Sequence, residues 1–233
     1  MNINVSLCNC KTDDVAIVVD QVRASTTITV ALNYFNKVIP LNDSQKALKI
    51  KEEDDDVILA GEESSKLIEG FDINNSPVEV TNYPNCDTLV LKTTNGTKIL
   101  EQVEENDGVT TLIGTAINAE AVAKEALRLA KNEIYVVMAG RRGGFNIEDA
   151  IGAGIIVEEI LKNSQEECKL NDSAVASLNL ASDHEKACEL ILNSEGGIRL
   201  KKCGSFDDVK VCTKINEYSN VAIYEDGYLR NIN

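Results

Sequence analysis

The chain has 233 residues, 43% of them hydrophobic, enough to bury a core in one large α/β domain or two small ones. Its formal net charge of −15 argues against nucleic acid or an anionic membrane as partner, since either needs a basic face. No apolar run nears the roughly 20 residues that span a bilayer, and the start Met1-Asn-Ile-Asn-Val lacks the basic segment and apolar stretch of a signal, so a cytoplasmic protein is expected.

In chain order, strands are expected at residues 4–8 and 15–19. The second, Val15-Ala-Ile-Val-Val, runs into Asp20-Gln-Val-Arg23-Ala-Ser25-Thr26-Thr27, where a helix over 25–34 begins. An acid able to hold a cation, an Arg fork and a hydroxyl-lined helix start suit an oxyanion ester such as a phosphate. Ligands gather at strand carboxyl ends in open α/β sheets, and helix N-termini attract anions. Taken alone, the segment also reads as a strand followed by a plain Ser/Thr cap. A strand at 37–40 and a helix at 44–51 follow, and the acidic run Glu52-Glu-Asp-Asp-Asp56 reads as a solvated helix end. Strand 57–60 ends at Gly61-Glu62. Strand 88–91 opens into Thr93-Thr94-Asn95-Gly96-Thr97, with a helix starting from Gly96.

Beyond a strand at 109–113 and a helix at 118–131, strand 134–138 leads into Ala139-Gly140-Arg141-Arg142-Gly143-Gly144-Phe145. Asn146 then caps a helix over 147–161 that carries Glu148 and Asp149, followed by Ala150, Gly152, Ala153 and Gly154, small residues that permit close packing. Three strand–turn–helix corners rich in Gly, Thr and Arg favour one shared anion site. After Leu170 the pattern turns helical (174–180, 183–192, 196–202, 206–214), and an Asp226-Gly227 turn joins 222–225 to 228–230 as a hairpin. With no Pro- or Ser-rich linker, this alternation predicts a single α/β domain: three α/β/α layers around a largely parallel or mixed sheet, with a more helical C-terminal third at about 170–233. Seven dispersed cysteines read as reduced, mainly buried thiols, and Cys8-Asn-Cys10 lacks the second pair that a zinc site needs. The only histidine, His184, is expected on a surface helix, where it has no partner motif for catalysis or metal binding.

The motifs Val19-Asp20-Gln-Val-Arg23-Ala24-Ser25-Thr26-Thr27, Gly61-Glu62, Gly70-Phe71-Asp72-Ile-Asn-Asn75-Ser76-Pro77, Thr93-Thr94-Asn95-Gly96-Thr97, and Ala139-Gly140 through Phe145 to Glu148-Asp149 occur in one order over about residues 15–155. On them the chain resembles the 2-phosphosulfolactate phosphatase family of coenzyme M biosynthesis. Three positions depart from that pattern: Glu63 stands where an Arg usually follows Gly-Glu, Asn74 where a Gly precedes Asn-Ser-Pro, and Met138 where a Cys precedes Ala-Gly. The first removes a positive charge beside the expected site. The resemblance implies a hydrolase, Mg²⁺-dependent, that converts 2-phosphosulfolactate or a similar phosphorylated 2-hydroxy acid to sulfolactate and phosphate. The alternative is a non-catalytic binding protein for a small phosphorylated or sulfonated anion.

Spacing excludes several other phosphatase chemistries. No Cys opens a phosphate loop ending in Arg, Asp20 lacks a second Asp two residues on, His184 has no partner motif, and neither Gly61 nor Gly96 leads into Gly-Lys-Ser/Thr. What remains is metal-assisted transfer of a phosphoryl group to water, with Mg²⁺ as the cofactor. Asp20, Glu62, Glu148 and Asp149 are the candidate metal ligands. Asp20 as nucleophile is the alternative to its ligand role, and Glu62 or Asp149 would be ligand or general base. Arg23, Ser25, Thr26, Thr27 and the turn Thr93, Thr94, Asn95, Gly96, Thr97 would hold the phosphate. The resemblance adds a lining role for Asn75 and Ser76. Arg141 or Arg142 would clamp a carboxylate or sulfonate on the substrate. Glu148 and Asp149 read equally well as charges complementing a helix dipole. Asp20, Arg23, Glu62, Thr94, Asn95 and Asp149 should therefore converge on one cleft. A homo-oligomer is compatible with the sequence.

Overall fold

The protein is seen in a computed structural model that describes residues 1–63, 66–84, 86–93, 95–104 and 108–233. Its first half comprises β1 (Asn2–Leu7), β2 (Val15–Val19), α1 (Ala24–Ala31), β3 (Phe35–Leu41), α2 (Ser44–Glu53), β4 (Ile58–Glu63), β5 (Lys66–Leu67), β6 (Cys86–Lys92) and α3 (Asn95–Glu104). Then come β7 (Thr110–Ile113), α4 (Ala119–Leu129), β8 (Glu133–Met138), α5 (Ile147–Asn163) and β9 (Lys169–Leu170). The last third is α6 (Asp172–Ala181), α7 (His184–Leu192), α8 (Glu195–Lys202), α9 (Phe206–Cys212), β10 (Ala222–Glu225) and β11 (Tyr228–Asn231).

The strands form one mixed sheet in the order β5-β4-β6-β3-β11-β10-β7-β2-β8-β1-β9. β7, β2, β8, β1 and β9 are parallel to one another. So are β3, β6 and β4. The C-terminal hairpin stands between these groups and pairs antiparallel with β7 on one side and β3 on the other. Three antiparallel pairings in succession make the two parallel groups run in opposite directions. In a flat sheet, the carboxyl ends of β2 and β4 would then lie at opposite edges.

The sheet is not flat. Strand twist of about 20 to 25° per step accumulates to roughly 120–150° over the six steps from β2 to β4. Side-chain parity shows the result, because successive residues of a strand face opposite sides. Ala16, Val18 and Val137 of one half share a core with Leu89, Leu91 and Ala60 of the other, and that core encloses Ile28, Val30 and Ala31 of α1 with Ile99 and Leu100 of α3. All eight residues of α1 are buried. The alternate residues Val15, Ile17 and Val19 face the opposite core with α4 through α9, while Val90 and Leu59 face α2. The sheet thus curls around α1 and α3, with the remaining helices on its outer faces. α3 packs directly on β2.

The elements follow the periodicity, with differences at ends. β4 extends past residue 60 to Glu63 and meets the two-residue β5, and β9 adds an edge strand too short to show a period. The last helix stops at Cys212. The expectation of mainly buried thiols is corrected: all seven cysteines are free, but only Cys10 and Cys212 are buried, and Cys203 is exposed. His184 sits on α7 with its Nε2 2.8 Å from Glu158 Oε2 of α5. Among the described residues no helix is long and apolar enough to cross a membrane.

Candidate active site

The turn after β2 is built from its own hydroxyls. Asp20 N–H donates to Ser25 Oγ (2.9 Å), Ser25 N–H returns to the Asp20 carbonyl (3.0 Å), and Thr26 Oγ1 donates to the Gln21 carbonyl (2.9 Å). Ser25 and Thr26, expected to line a phosphate, therefore first hold the backbone in its turn. Thr27 Oγ1 is buried and has no hydrogen-bond partner among the described residues. Ala24 N–H reaches Asp20 Oδ1 at 3.4 Å.

Asp20 is 8% exposed. Burial pushes its carboxyl up to about 6; the Ala24 N–H opposes this, Glu148 and Glu62 add to it, and Arg199 works against it. Three acids from separate corners are thus brought within electrostatic reach of one another. Glu62, at the end of β4, keeps Oε2 buried with no hydrogen-bond partner among the described residues. Glu148, in the first turn of α5, is also raised by burial, and its own backbone N–H, the Ser194 hydroxyl and Arg199 counter the rise. Its Oε1 would overlap a Cβ placed on Gly196, so any larger residue there would displace the Glu148 carboxylate.

Asp149 has a different task. One carboxylate oxygen accepts from Gln21 N–H and the other from Gly140 N–H, both at 2.9 Å, tying the ends of β2 and β8 to the start of α5. Burial, with Asp20 second, raises its carboxyl well above the usual range. Gln21 extends the same frame: Oε1 accepts from Ala116 N–H (3.1 Å) and Nε2 donates to the Cys212 carbonyl (2.5 Å).

Arg23 is 3% exposed. Its Nη1 donates to Asp208 Oδ2 on α9, and Asp208 Oδ1 accepts from the Ser76 hydroxyl at 2.5 Å. Nε and Nη2 of Arg23 are buried without hydrogen-bond partners among the described residues, as is Asn75 Oδ1. These unsatisfied groups carry the expectation of a ligand, because orphaned buried polar atoms are costly.

The remaining candidates divide. Thr93 N–H donates to the Leu41 carbonyl (2.9 Å), and Thr97 Oγ1 donates to the Thr93 carbonyl (2.8 Å), so this corner is braced from within. Gly96 has open space where a Cβ would stand. Thr94 and the side chain of Asn95 lie outside the described residues. Arg141 and Arg142 sit in a turn closed by the Arg141–Gly144 backbone pair (3.0 and 2.9 Å), adjoining Asp149 through Gly140. Arg142 is exposed and Arg141 partly so.

Asp208, Arg199 and Gln21 take part without having been singled out in the sequence. For Asp208 a signal existed: it shares a helix face with buried Cys212 and adjoins buried Val209, an unusual place for a carboxylate. Arg199, between Ile198 and Leu200, offered none.

A family model described as 2-phosphosulpholactate phosphatase matches residues 3–227. A 2-phosphosulfolactate phosphatase of Methanothermobacter thermautotrophicus is 39% identical over 227 residues, which cover 97% of this chain and 94% of that protein. Probable 2-phosphosulfolactate phosphatases of Clostridium acetobutylicum and Clostridium novyi are 34% and 35% identical, covering 91% and 84% of this chain and 90% and 83% of theirs. Matched along nearly its whole length, the chain belongs to the 2-phosphosulfolactate phosphatase family.

Proposed function

We propose that the protein is a Mg²⁺-dependent phosphoric monoester hydrolase cleaving 2-phosphosulfolactate, or a closely similar phosphorylated 2-hydroxy acid, to the hydroxy acid and phosphate. The observation that carries this reading is one turn that bears both Arg23, whose Nε and Nη2 are buried without hydrogen-bond partners among the described residues, and Asp20, whose carboxyl is within electrostatic reach of Glu148 and Glu62. Such a site suits a phosphate monoester: cationic donors for the phosphoryl oxygens, and hard oxygens for a cation.

The acids fit Mg²⁺ in one particular way. Among the described residues no three carboxyl, imidazole or thiol groups stand together as an ion cage. Mg²⁺ commonly binds through one or two carboxylates plus substrate phosphate and retains waters, so Asp20 with Glu148 or Glu62 is a sufficient set. When bound, it supplies Lewis-acid polarisation of the phosphoryl oxygens. Arg23 orients the phosphoryl group, and Arg141 or Arg142 engages the acidic end of the substrate. Glu62 would accept a proton from attacking water, a role supported by its buried Oε2, which has no hydrogen-bond partner among the described residues. Asp149 is less suited to move a proton, because backbone N–H groups hold both its oxygens.

The test is phosphate release from a panel of phosphorylated 2-hydroxy acids, with the sulfonated substrate included, before and after metal removal. Turnover should vanish in excess chelator and return with Mg²⁺. Full activity after metal removal would overturn the metal-assisted reading, and binding without release would leave an anion-binding protein.

A further inference from the structure

α9 lies outside every motif that marks the family resemblance, yet three contacts join it to the turn after β2. Arg23 Nη1 pairs with Asp208, Gln21 Nε2 donates to the Cys212 carbonyl, and the Thr26 hydroxyl meets the Cys212 thiol. The ion pair is almost free of solvent, with side chains 2% and 5% exposed. Asp208 does not float either, because its second oxygen accepts from Ser76, which in turn accepts from Glu79 N–H at 3.0 Å. A guanidinium held at Nη1 has a fixed plane, and its opposite edge, Nε and Nη2, is the fork that binds an oxyanion side-on. In Arg23 that edge is buried and unused among the described residues.

We infer that Asp208 is a positioning residue for the reaction: it fixes the plane of Arg23 so that the Nε–Nη2 edge receives two phosphoryl oxygens, with Ser76 holding Asp208 in turn. This rests on the phosphatase reading above. It makes the C-terminal helical segment part of the catalytic unit. It also gives Ser76 a task other than direct contact with substrate. The buried charge of Arg23 is balanced before substrate arrives, so the anion meets a preformed fork rather than a mobile side chain.

The experiment compares wild type with Asp208→Asn, Ser76→Ala, Arg23→Gln and the double variant Arg23→Gln/Asp208→Asn. It reads kcat and KM on the phosphorylated acid, calorimetric binding of inorganic phosphate, and thermal unfolding. Asp208→Asn should lower kcat/KM by about 10²-fold, the scale set by a misplaced reacting group, and phosphate affinity should fall in parallel. Ser76→Ala should move both the same way by less. In the Arg23→Gln background, Asp208→Asn should add almost nothing, because its target is gone. Multiplicative effects in the double variant would overturn the inference, as would a lowered Tm with phosphate affinity and kcat/KM unchanged. Should Asp208→Asn fail to fold with Arg23 unpaired, Ser76→Ala and the double variant decide alone, and wild-type phosphate affinity in Ser76→Ala refutes the relay. Phosphate binding that follows this pattern without ester hydrolysis would retire the phosphatase reading and keep the Asp208 role. A wild type that binds no phosphate would retire the Asp208 role itself.

Discussion

Asp20, the candidate catalytic carboxylate, shows how far burial can hold an acid from its ordinary behaviour. Its carboxyl is raised from 3.8 to about 6, first by burial and then by Glu148 and Glu62, so in the metal-free protein folding favours the protonated form. An acid raised in this way contributes its full share of stability below the unfolded value and loses it as pH rises through about 6. Asp20→Asn should therefore stabilise the metal-free protein by about 1–3 kcal/mol at pH ~7.5, since each tenfold change in proton affinity between the folded and unfolded chain is worth ~1.4 kcal/mol. The gain should shrink as pH falls towards ~4.5, while turnover is lost at every pH. Thermal melts across that range check it, and a gain independent of pH would mean that the carboxylate is not strained by burial. At this scale Asp20, Arg23 and Glu62 were legible because each stands at a strand end or the turn beyond it. The fate of the Ser25 and Thr26 hydroxyls was not, since a hydroxyl beside a helix start can serve a ligand or the turn, and only the hydrogen-bond partners decide.

Among the elements, α5 carries the candidate residues Glu148 and Asp149 at its start and a close helix crossing in its middle. The small residues Gly152, Ala153 and Gly154 were readable as a packing surface, and Gly154 meets α6. A Cβ there would overlap the Ser177 carbonyl oxygen, which is backbone and cannot swing away. Gly154→Ala gains about 1 kcal/mol of helix propensity but forces the helices apart, an overpacking cost of about 1–3 kcal/mol or more. The second effect should win. Urea denaturation should show a lower midpoint with an unchanged slope, and a higher midpoint would contradict the crossing. Nothing in the sequence named α6 as the partner, because small residues permit an approach without saying by what.

For the whole molecule, the decisive element is the hairpin of β10 and β11, which joins two parallel strand groups of opposite direction. Leu229 is fully buried on β11 opposite Val38 of β3, in the core that encloses α1. Leu229→Ala should cost about 2–5 kcal/mol, as large-to-small core changes do. Because β11 stands three strands from both β2 and β4, kcat well below the lowered Tm should stay near that of wild type. An unchanged Tm would show that the Leu229 side chain does not help to join the two halves.

The sequence alone determined the α/β class, the positions of nearly all strands and helices, and the strand ends and helix starts bearing Asp20, Glu62, Thr93 and Asp149. These rest on local periodicity and turn chemistry, which a window of ten or fifteen residues contains. Tertiary structure decided that Asp20 and Glu62, from oppositely running strand groups, come within electrostatic reach of one another. The twist that folds the sheet around α1 comes from many pairings in sum, and the hairpin that reverses direction arrives only at residues 222–231. It also decided that Asp208, nearly 190 positions after Arg23, holds that guanidinium. A buried charge pair is specified by the burial of both partners, and burial is a property of the assembled core.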